Sequence, residues 1–137
     1  NADALTVATS SGDIKLDSVS SKDTRISANS GDVSLGDVVM DNIDLKTSSG
    51  NITSGSIKAK RINGRASSGD VMIRDCDASE INVVTTSGDV SIGIGLEMKY
   101  EYNTKTSSGD VNVPDSVEGA DGKCNIETSS GDIDVTQ

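Results

Sequence analysis

The sequence predicts an all-β protein, a single-stranded β-solenoid (β-helix) of about seven coils with 19 to 22 residues each. Three observations indicate this fold class: a Ser-Gly-Asp or Ser-Gly-Asn tripeptide recurs seven times, apolar and polar residues alternate on both sides of it, and Phe and Trp are absent. Successive tripeptides are 19, 19, 19, 19, 21 and 22 residues apart, which is too short for a propeller blade and fits one solenoid coil. We expect the coil to be right-handed.

Each tripeptide is predicted to form a tight corner between two strands. Glycine permits positive φ without steric cost, and Ser and Asp side chains can bond the amides of a turn. The serine of each tripeptide lies an even number of residues from the inward apolar positions. We therefore expect these serines to point inward and to form a column of hydroxyl groups. The predicted structural turn residues are Ser11, Gly12, Asp13, Ser30, Gly31, Asp32, Ser49, Gly50, Asn51, Ser68, Gly69, Asp70, Ser87, Gly88, Asp89, Ser108, Gly109, Asp110, Ser130, Gly131 and Asp132.

Short strands are predicted before and after each corner, because side chains with a period of two bury one face of a strand. Before the corner, the inward positions stand seven, five and three residues ahead of the glycine, as in Ile43, Leu45 and Thr47. Two further inward positions follow the glycine. Stacked coils would bury these positions as one continuous core. A third short segment is predicted around the apolar residues Val19, Val38, Ile57 and Cys76.

The last two coils are longer than the others, with the additional residues in segments 93–101 and 114–123. Both additions follow the second strand of their coil, so they would lie side by side on one edge. Met98, Tyr100 and Pro114 are therefore candidate residues of interaction loops, since solenoids often place function in such insertions. The alternative is structural: the coil widens to accommodate Tyr102 and ends the regular stack.

The net charge of −10 is unevenly distributed. Residues 1–68 carry eight basic and eight acidic side chains, whereas residues 69–137 carry four and fourteen. We expect no nucleic-acid partner, because a polyanion requires a basic stripe. The local basic group of Lys58, Lys60, Arg61 and Arg65 is interpreted as a solvated rim.

We expect one solenoid domain covering residues 1–137. The chain begins at Asn1 without a Met and enters the repeat almost at once, which suggests a segment excised from a longer protein. No stretch approaches the roughly 20 apolar residues needed to cross a bilayer, so no direct membrane insertion by this segment is expected.

No catalytic, metal or cofactor site is expected. The chain has no His, so a serine nucleophile would lack its usual base, and two separated cysteines cannot supply a zinc site. A polysaccharide-active enzyme on a parallel β-helix is a rival interpretation, but its groove would normally carry aromatic side chains. An ice-binding Thr array and a calcium-binding nine-residue repeat fit the spacing poorly.

Two expectations concern residues with reactive or charged side chains. The residues after the corner glycines would form an acidic column interrupted by Asn51, and we favour bonds from each side chain to the amides of its own turn over metal binding there. Cys76 and Cys124 are predicted to be free thiols, because they stand in different columns and, in a stack that follows the chain, more than two coils apart.

The seven corners, each followed by Ile or Val, resemble those of a bacterial family of unknown function whose members are described as adhesins. The resemblance covers essentially the whole chain. It implies a non-catalytic solenoid domain of cell-envelope or surface-linked proteins, often beside a membrane anchor or another envelope module. It implies no functional residues.

Two functions from different classes stay open. The first is an adhesin-like surface interaction module that contacts an unknown protein or glycan. The second is a structural spacer or envelope-stress scaffold without a ligand of its own. The expected location is the cell envelope or the extracellular space, with a cytoplasmic location left open. A signal peptide, wall anchor or stalk in the neighbouring sequence would favour adhesion, and a regulatory or membrane-sensor region would favour the scaffold.

Overall fold

A computed structural model describes residues 2–95 and 99–137, and within these ranges every regular element is a β-strand. The strands are β1 (Ala2–Thr9), β2 (Ile14–Ala28), β3 (Val33–Thr47), β4 (Ile52–Ala66), β5 (Val71–Thr85), β6 (Val90–Ile94), β7 (Tyr100–Ser108), β8 (Val111–Asn112), β9 (Gly122–Ser130) and β10 (Ile133–Thr136). The all-β prediction is therefore confirmed. No helix in these ranges is long and apolar enough to cross a membrane.

Parallel pairing between successive coils builds the solenoid. Each of the strands β2 to β5 runs from one corner to the next, and Ile14 pairs with Val33, which pairs with Ile52. The offset between partners is the 19-residue repeat, so each coil forms one level of the stack. About seven such levels confirm the predicted β-solenoid. Its handedness stays a prediction.

The core lies inside the coil and consists of columns of similar aliphatic side chains. In the column five residues before the corner, Ile26 and Leu45 are almost completely buried. The third inward column predicted around Val38 and Ile57 is present, because both residues are buried at register-paired positions. They lie inside the continuous 15-residue strands β3 and β4, so the expectation of separate short strands is wrong in these coils. Small branched side chains fill most positions of these columns, and the ring of Tyr100 joins the core near the end of the stack.

The last two coils stack in an order that differs from the chain order. Strand β9 lies between β5 and β7, since Cys124 is the register partner of both Ile81 in β5 and Tyr102 in β7. Strand β10 likewise lies between β6 and β8. The coil of the seventh corner is thus inserted between the coils of the fifth and sixth corners. The expectation that the coils follow one another in chain order is wrong at this end.

The two longer intervals account for this insertion. A 19-residue coil advances the chain by one level, as in β2 to β5. The first longer interval carries the chain from β6 past one level to β7, and segment 113–121 returns it to the empty level, which β9 fills. The longer intervals therefore supply the length that the chain needs to pass over one level and then return to it.

The corner glycines are required by the close approach of successive levels. A Cβ at Gly31 would overlap the carbonyl oxygen of Gly12, and the same overlap with the neighbouring level recurs at the later corners. Among the described corner glycines, positive φ occurs at Gly12 (146°) and Gly109 (157°), which lie in the two outermost levels. Backbone freedom, the reason expected from the sequence, is therefore secondary at the inner corners.

Threonine hydroxyls connect the corners on the inside. Thr47 donates to the carbonyl of Gly31 at 3.5 Å, and Thr128 of the inserted level donates to that of Gly88 in the adjacent level at 3.3 Å. The serine before each corner glycine is exposed at all seven corners, so the predicted inward serine ladder is wrong. Strands β2 to β5 end at the inward residue three before the glycine, and the alternation does not continue into the turn.

Cys76 and Cys124 are free and completely buried. The prediction of free thiols is confirmed, but the expected separation of more than two coils is wrong. Cys124 pairs with Ile81 in β5, the strand that also contains Cys76, so the two thiols belong to adjacent levels. They stand in different columns, because Cys76 pairs with Ile57 and Ile94.

Alanine substitutions at two buried glycines should have opposite effects on stability. Gly50→Ala places a methyl group on the carbonyl of Gly31, and we expect it to lower the free energy of unfolding by about 2 kcal/mol or more. At Gly64 a Cβ would meet Val83 Cγ2 at an ordinary 3.7 Å, so Gly64→Ala should raise it by about 0.5 kcal/mol. Urea unfolding measures both, and equal effects would contradict the close-approach explanation.

The cysteines should make stability fall at alkaline pH. Burial raises the pKa of both thiols from 9.0 to about 12, and for Cys76 the neighbouring Cys124 adds to the effect. The folded state therefore favours the neutral thiols, so the contribution present below pH 9 is lost as pH rises from 9 toward 12. Melting temperatures from pH 7 to 11 should decline, and Cys76→Ala should flatten the decline.

The same burial predicts slow alkylation. At pH 8 the folded chain should react slowly with iodoacetamide, and without reductant the unfolded chain should take up two labels. Rapid labelling of the folded protein would contradict the buried, neutral state.

Candidate functional site

One side of the solenoid displays three columns of outward side chains. They stand eight, six and four residues before each corner glycine, alternating with the inward residues of the same strands. We call this surface the ladder face. In stacking order its residues are Ala4, Thr6, Ala8, Asp23, Arg25, Ser27, Asn42, Asp44, Lys46, Arg61, Asn63, Arg65, Glu80, Asn82, Val84, Lys123, Asn125, Glu127, Glu101, Asn103 and Lys105.

Four depressions open to solvent lie along the ladder face, with volumes of about 500, 380, 560 and 260 Å³. The first covers the first four levels of the stack. The second and the fourth adjoin each other, because both are lined by Asn82 and Val84. The third reaches the next edge of the coil at Lys60 and Ser79. The face therefore offers a line of shallow, mostly polar hollows along the solenoid axis.

Asparagines occupy the central column in four consecutive levels: Asn63, Asn82, Asn125 and Asn103. We call this column the Asn ladder. Asn125 Nδ2 donates to Asn82 Oδ1 at 2.9 Å, and Asn82 Nδ2 donates to Asn63 Oδ1 at 3.2 Å. Asn82 Nδ2 also donates to Glu80 Oε1 at 3.0 Å. These bonds hold the carboxamides of Asn63, Asn82 and Asn125 in fixed orientations and reach the inserted coil at Asn125.

The ladder face has a charge balance unlike that of the whole chain. It carries six of the twelve Lys and Arg residues but five of the 22 Asp and Glu residues, on a protein with a net charge of −10. The remaining surface is therefore strongly acidic. Because like charges repel, an anionic group would approach the ladder face more readily than the other sides.

Ion pairs occupy part of this face. Arg61 Nε lies 3.2 Å from Glu80 Oε2, and the hydrogen bond from Asn82, followed by the charge of Arg61, lowers the pKa of Glu80. In contrast, Lys46 and Arg65 are direct register partners without an ion pair in the described part of the chain. Paired cations on neighbouring strands repel each other, which leaves both available to an acceptor group.

The basic group singled out in the sequence divides across an edge of the coil. Arg61 and Arg65 lie on the ladder face, whereas Lys60 reaches Asp41 at 3.2 Å on the other side of the edge. Lys58 is also exposed beyond that edge. The four residues therefore do not form one continuous patch.

The three candidate loop residues have different positions. Met98 lies outside the described residues. Tyr100 is 1% exposed, and its hydroxyl donates to the carbonyl of Ala78 at 2.6 Å, so its ring packs in the core. Pro114 is half-buried at the start of segment 113–121. An interaction role for these loops stays a prediction, although Tyr100 does not present its ring to solvent.

Segment 113–121 folds against the outer edge of β7. The amide of Val117 donates to the carbonyl of Tyr100 at 3.0 Å, and Ser116 Oγ accepts the amide of Tyr102 at 2.9 Å. These bonds satisfy part of the edge that a terminal strand leaves unpaired. The alternative structural interpretation of the longer coils thus accounts for this segment, which covers the end of the stack.

The residues after the corner glycines form a bonded column. Asp32 Oδ1 accepts the amide of Asn51 at 2.9 Å, and Asn51 Oδ1 accepts that of Asp70 at 3.0 Å. The bond continues through the inserted level, from Asp132 N to Asp89 Oδ1 at 2.9 Å. Each side chain therefore bonds the amide of the next level and not of its own turn, which corrects the expectation. We call this column the Asx ladder.

No group of three or more Cys, Asp or Glu side chains is arranged to hold a metal ion within residues 2–95 and 99–137. One oxygen of each inner Asx residue is already engaged by an amide. The bond from the amide of Asp70 to Asn51 Oδ1 shows that a neutral carboxamide satisfies the same geometry as a carboxylate. The column thus needs no cation to persist.

Calcium should therefore stabilise the protein no more than magnesium does at equal ionic strength. Both ions should screen repulsion between successive carboxylates, so both should raise the melting temperature slightly. Thermal melts with 5 mM of either chloride measure the effect. A large, calcium-selective increase that disappears when Asp89 and Asp110 are changed to Asn would contradict the bonding that we describe.

Sequence reasoning missed the Asn ladder, although the aligned repeats contain its signal six residues before the corner glycine.

Comparison with known proteins identifies the family of this chain. No curated protein and no solved structure matches the chain. A family model described as Toastrack DUF4097 matches residues 1–137, the whole length, and agrees with the solenoid and its repeated corners. The chain belongs to the Toastrack DUF4097 family, whose function is unknown.

Proposed function

We propose that this domain is a non-catalytic, adhesin-like interaction module of the bacterial cell envelope that binds its partner on the ladder face. The observation that carries the proposal is the Asn ladder, a row of fixed polar groups along a line of hollows. Groups that are already ordered lose little conformational entropy on binding. Such a surface suits recognition of a partner.

Charge supports the ladder face over the other sides. The face combines donors, acceptors and both signs of charge, whereas the rest of the molecule carries most of the 22 acidic groups. A mixed surface of this kind allows complementary hydrogen bonds and steers a partner to one orientation. Lys46 and Arg65 add two cations without an ion pair in the described residues.

A structural scaffold is the second candidate, and the Asx ladder favours it. Its bonds join all seven levels, from Asp13 to Asp110, so the domain has the build of a stiff rod. A scaffold would use its length and not the chemistry of one face. The two functions therefore differ in their sensitivity to substitutions on the ladder face.

Binding to purified bacterial envelopes tests the proposal. The fluorescently labelled domain should bind them, and a triple variant with Arg61→Ser, Arg65→Ser and Asn82→Ala should bind about tenfold more weakly, since interface polar anchors typically contribute this much. The matched control also changes two cationic residues and one asparagine, on the opposite side of the corners: Lys15→Ser, Arg74→Ser and Asn112→Ala. Circular dichroism checks that both variants keep the β spectrum.

The control should bind like the unchanged domain. Absence of envelope binding, or equal losses in both triple variants, would overturn the interaction module and leave the scaffold as the better account.

A further inference from the structure

The Asn ladder is periodic, and its period constrains what it can recognise. Stacked strands lie about 4.8 Å apart, so the four carboxamides repeat at that distance along the solenoid axis. A ligand that engages several of them must place hydrogen-bonding groups at intervals of about one coil spacing. That requirement favours a linear polymer of similar units aligned with the axis.

The carboxamides of the Asn ladder can offer a ligand uncharged hydrogen-bond donors and acceptors. Asn82 donates one amide hydrogen to Asn63 in the ladder and the other to Glu80 in the neighbouring column. Asn63 and Asn125 each retain part of their bonding capacity, and Asn103 has no side-chain bond within the described ranges. A hydroxyl group both donates and accepts, so it can match either half of a carboxamide. A chain rich in hydroxyl groups fits this column.

Val84 supplies an apolar surface beside the ladder. It is 42% exposed and lines the same two adjoining depressions as Asn82, with volumes of about 380 and 260 Å³. Sugars present C–H groups between their hydroxyls. Packing of such a ring against Val84 while its hydroxyls reach the carboxamides would satisfy both parts of the site.

Other polymers fit less well. Side chains on one side of an extended peptide repeat every two residues, about 6.6 Å, which does not match the coil spacing. A densely charged polyanion would be attracted by Lys46, Arg65 and Lys105. It would also meet the carboxylates of Asp44 and Glu127 in the same depressions, and it would leave the exposed side chain of Val84 without an apolar partner. The sheet face also offers few of the free backbone groups that a peptide uses when it adds to a sheet edge.

We propose that the Asn ladder and Val84 bind an uncharged linear glycan that runs along the solenoid axis, with about one sugar unit for each level. This inference rests on the proposed interaction function and specifies its ligand class. Asn63, Asn82, Asn125 and Asn103 bond the sugar hydroxyls of successive units. Val84 packs against the ring above Asn82.

A length series of oligosaccharides tests the inference. Nuclear magnetic resonance titration with cello-oligosaccharides and chito-oligosaccharides of two to six units should give an affinity that rises up to about four units and then stays constant, because the ladder has four levels. Shifts should concentrate at the Asn ladder. Asn82→Ala should lower the affinity for the four-unit oligosaccharide roughly fivefold, which is the effect of losing about one hydrogen bond.

Two further variants separate ligand binding from folding. Because Val84 is exposed, Val84→Asp should keep the fold. It should lower the affinity for the four-unit oligosaccharide by at least about fivefold, since it replaces the apolar contact by a charge. Asn112→Ala is the matched control, because Asn112 makes the same kind of bond between levels, to Asp134 at 3.1 Å, outside the ladder face. It should leave the affinity unchanged.

The outcomes distinguish this inference from the proposed function. No binding of any oligosaccharide, affinity without length dependence, or an equal loss in Asn112→Ala overturns the glycan site. If envelope binding persists and stays sensitive to the ladder-face triple variant in that case, the interaction module survives with another ligand. Loss of the envelope interaction itself overturns the module.

Discussion

The contact between successive corner glycines is the constraint on which the rest of this structure depends. The carbonyl oxygen of one corner occupies the space where a Cβ of the next would stand, as at Gly12 and Gly31. This contact sets the levels in register on one edge of the coil. The Thr bonds inside the corner, the Asx ladder on its outside and the Asn ladder on the adjacent face all require that register. A single steric relation thus aligns three sets of polar groups that lie far apart in the chain.

The cross-section of the coil could be predicted from the sequence, because it depends on local alternation. The parity of apolar residues identified the inward columns, including the third one at Val38 and Ile57. The same alternation wrongly placed the serines before the corner glycines inside the coil, because alternation ends where the strand ends and the turn begins. The role of glycine was also assigned to the wrong cause, because an alignment shows that a residue is small but not which neighbour excludes a larger one.

The stacking order could not be predicted, because every level presents nearly the same edge to its neighbours. The alignment places Cys124 in the same column as Ile81 and Tyr102, but a column does not state which member lies next to which. Tyr100 was misplaced for a related reason. Its ring fills space beside Gly122, where a Cβ would lie 2.6 Å from the ring, and that vacancy exists only because β9 is inserted next to β7. The Asn ladder, in contrast, could be predicted from the alignment alone, because its four residues recur six positions before the corner glycine.

The inserted coil changes how the domain would respond to a pulling force. In a solenoid stacked in chain order, the last strand has one neighbour, and tension on the end of the chain can peel it away bond by bond. Here β10 is held by β6 on one side and β8 on the other, and β9 is held in the same way. Tension applied at Gln137 would have to withdraw a strand from between two partners, so many hydrogen bonds would share the load. Gln137 therefore follows a strand that lies one coil inside the last level of the rod, and tension on this residue would act on the flank of the rod.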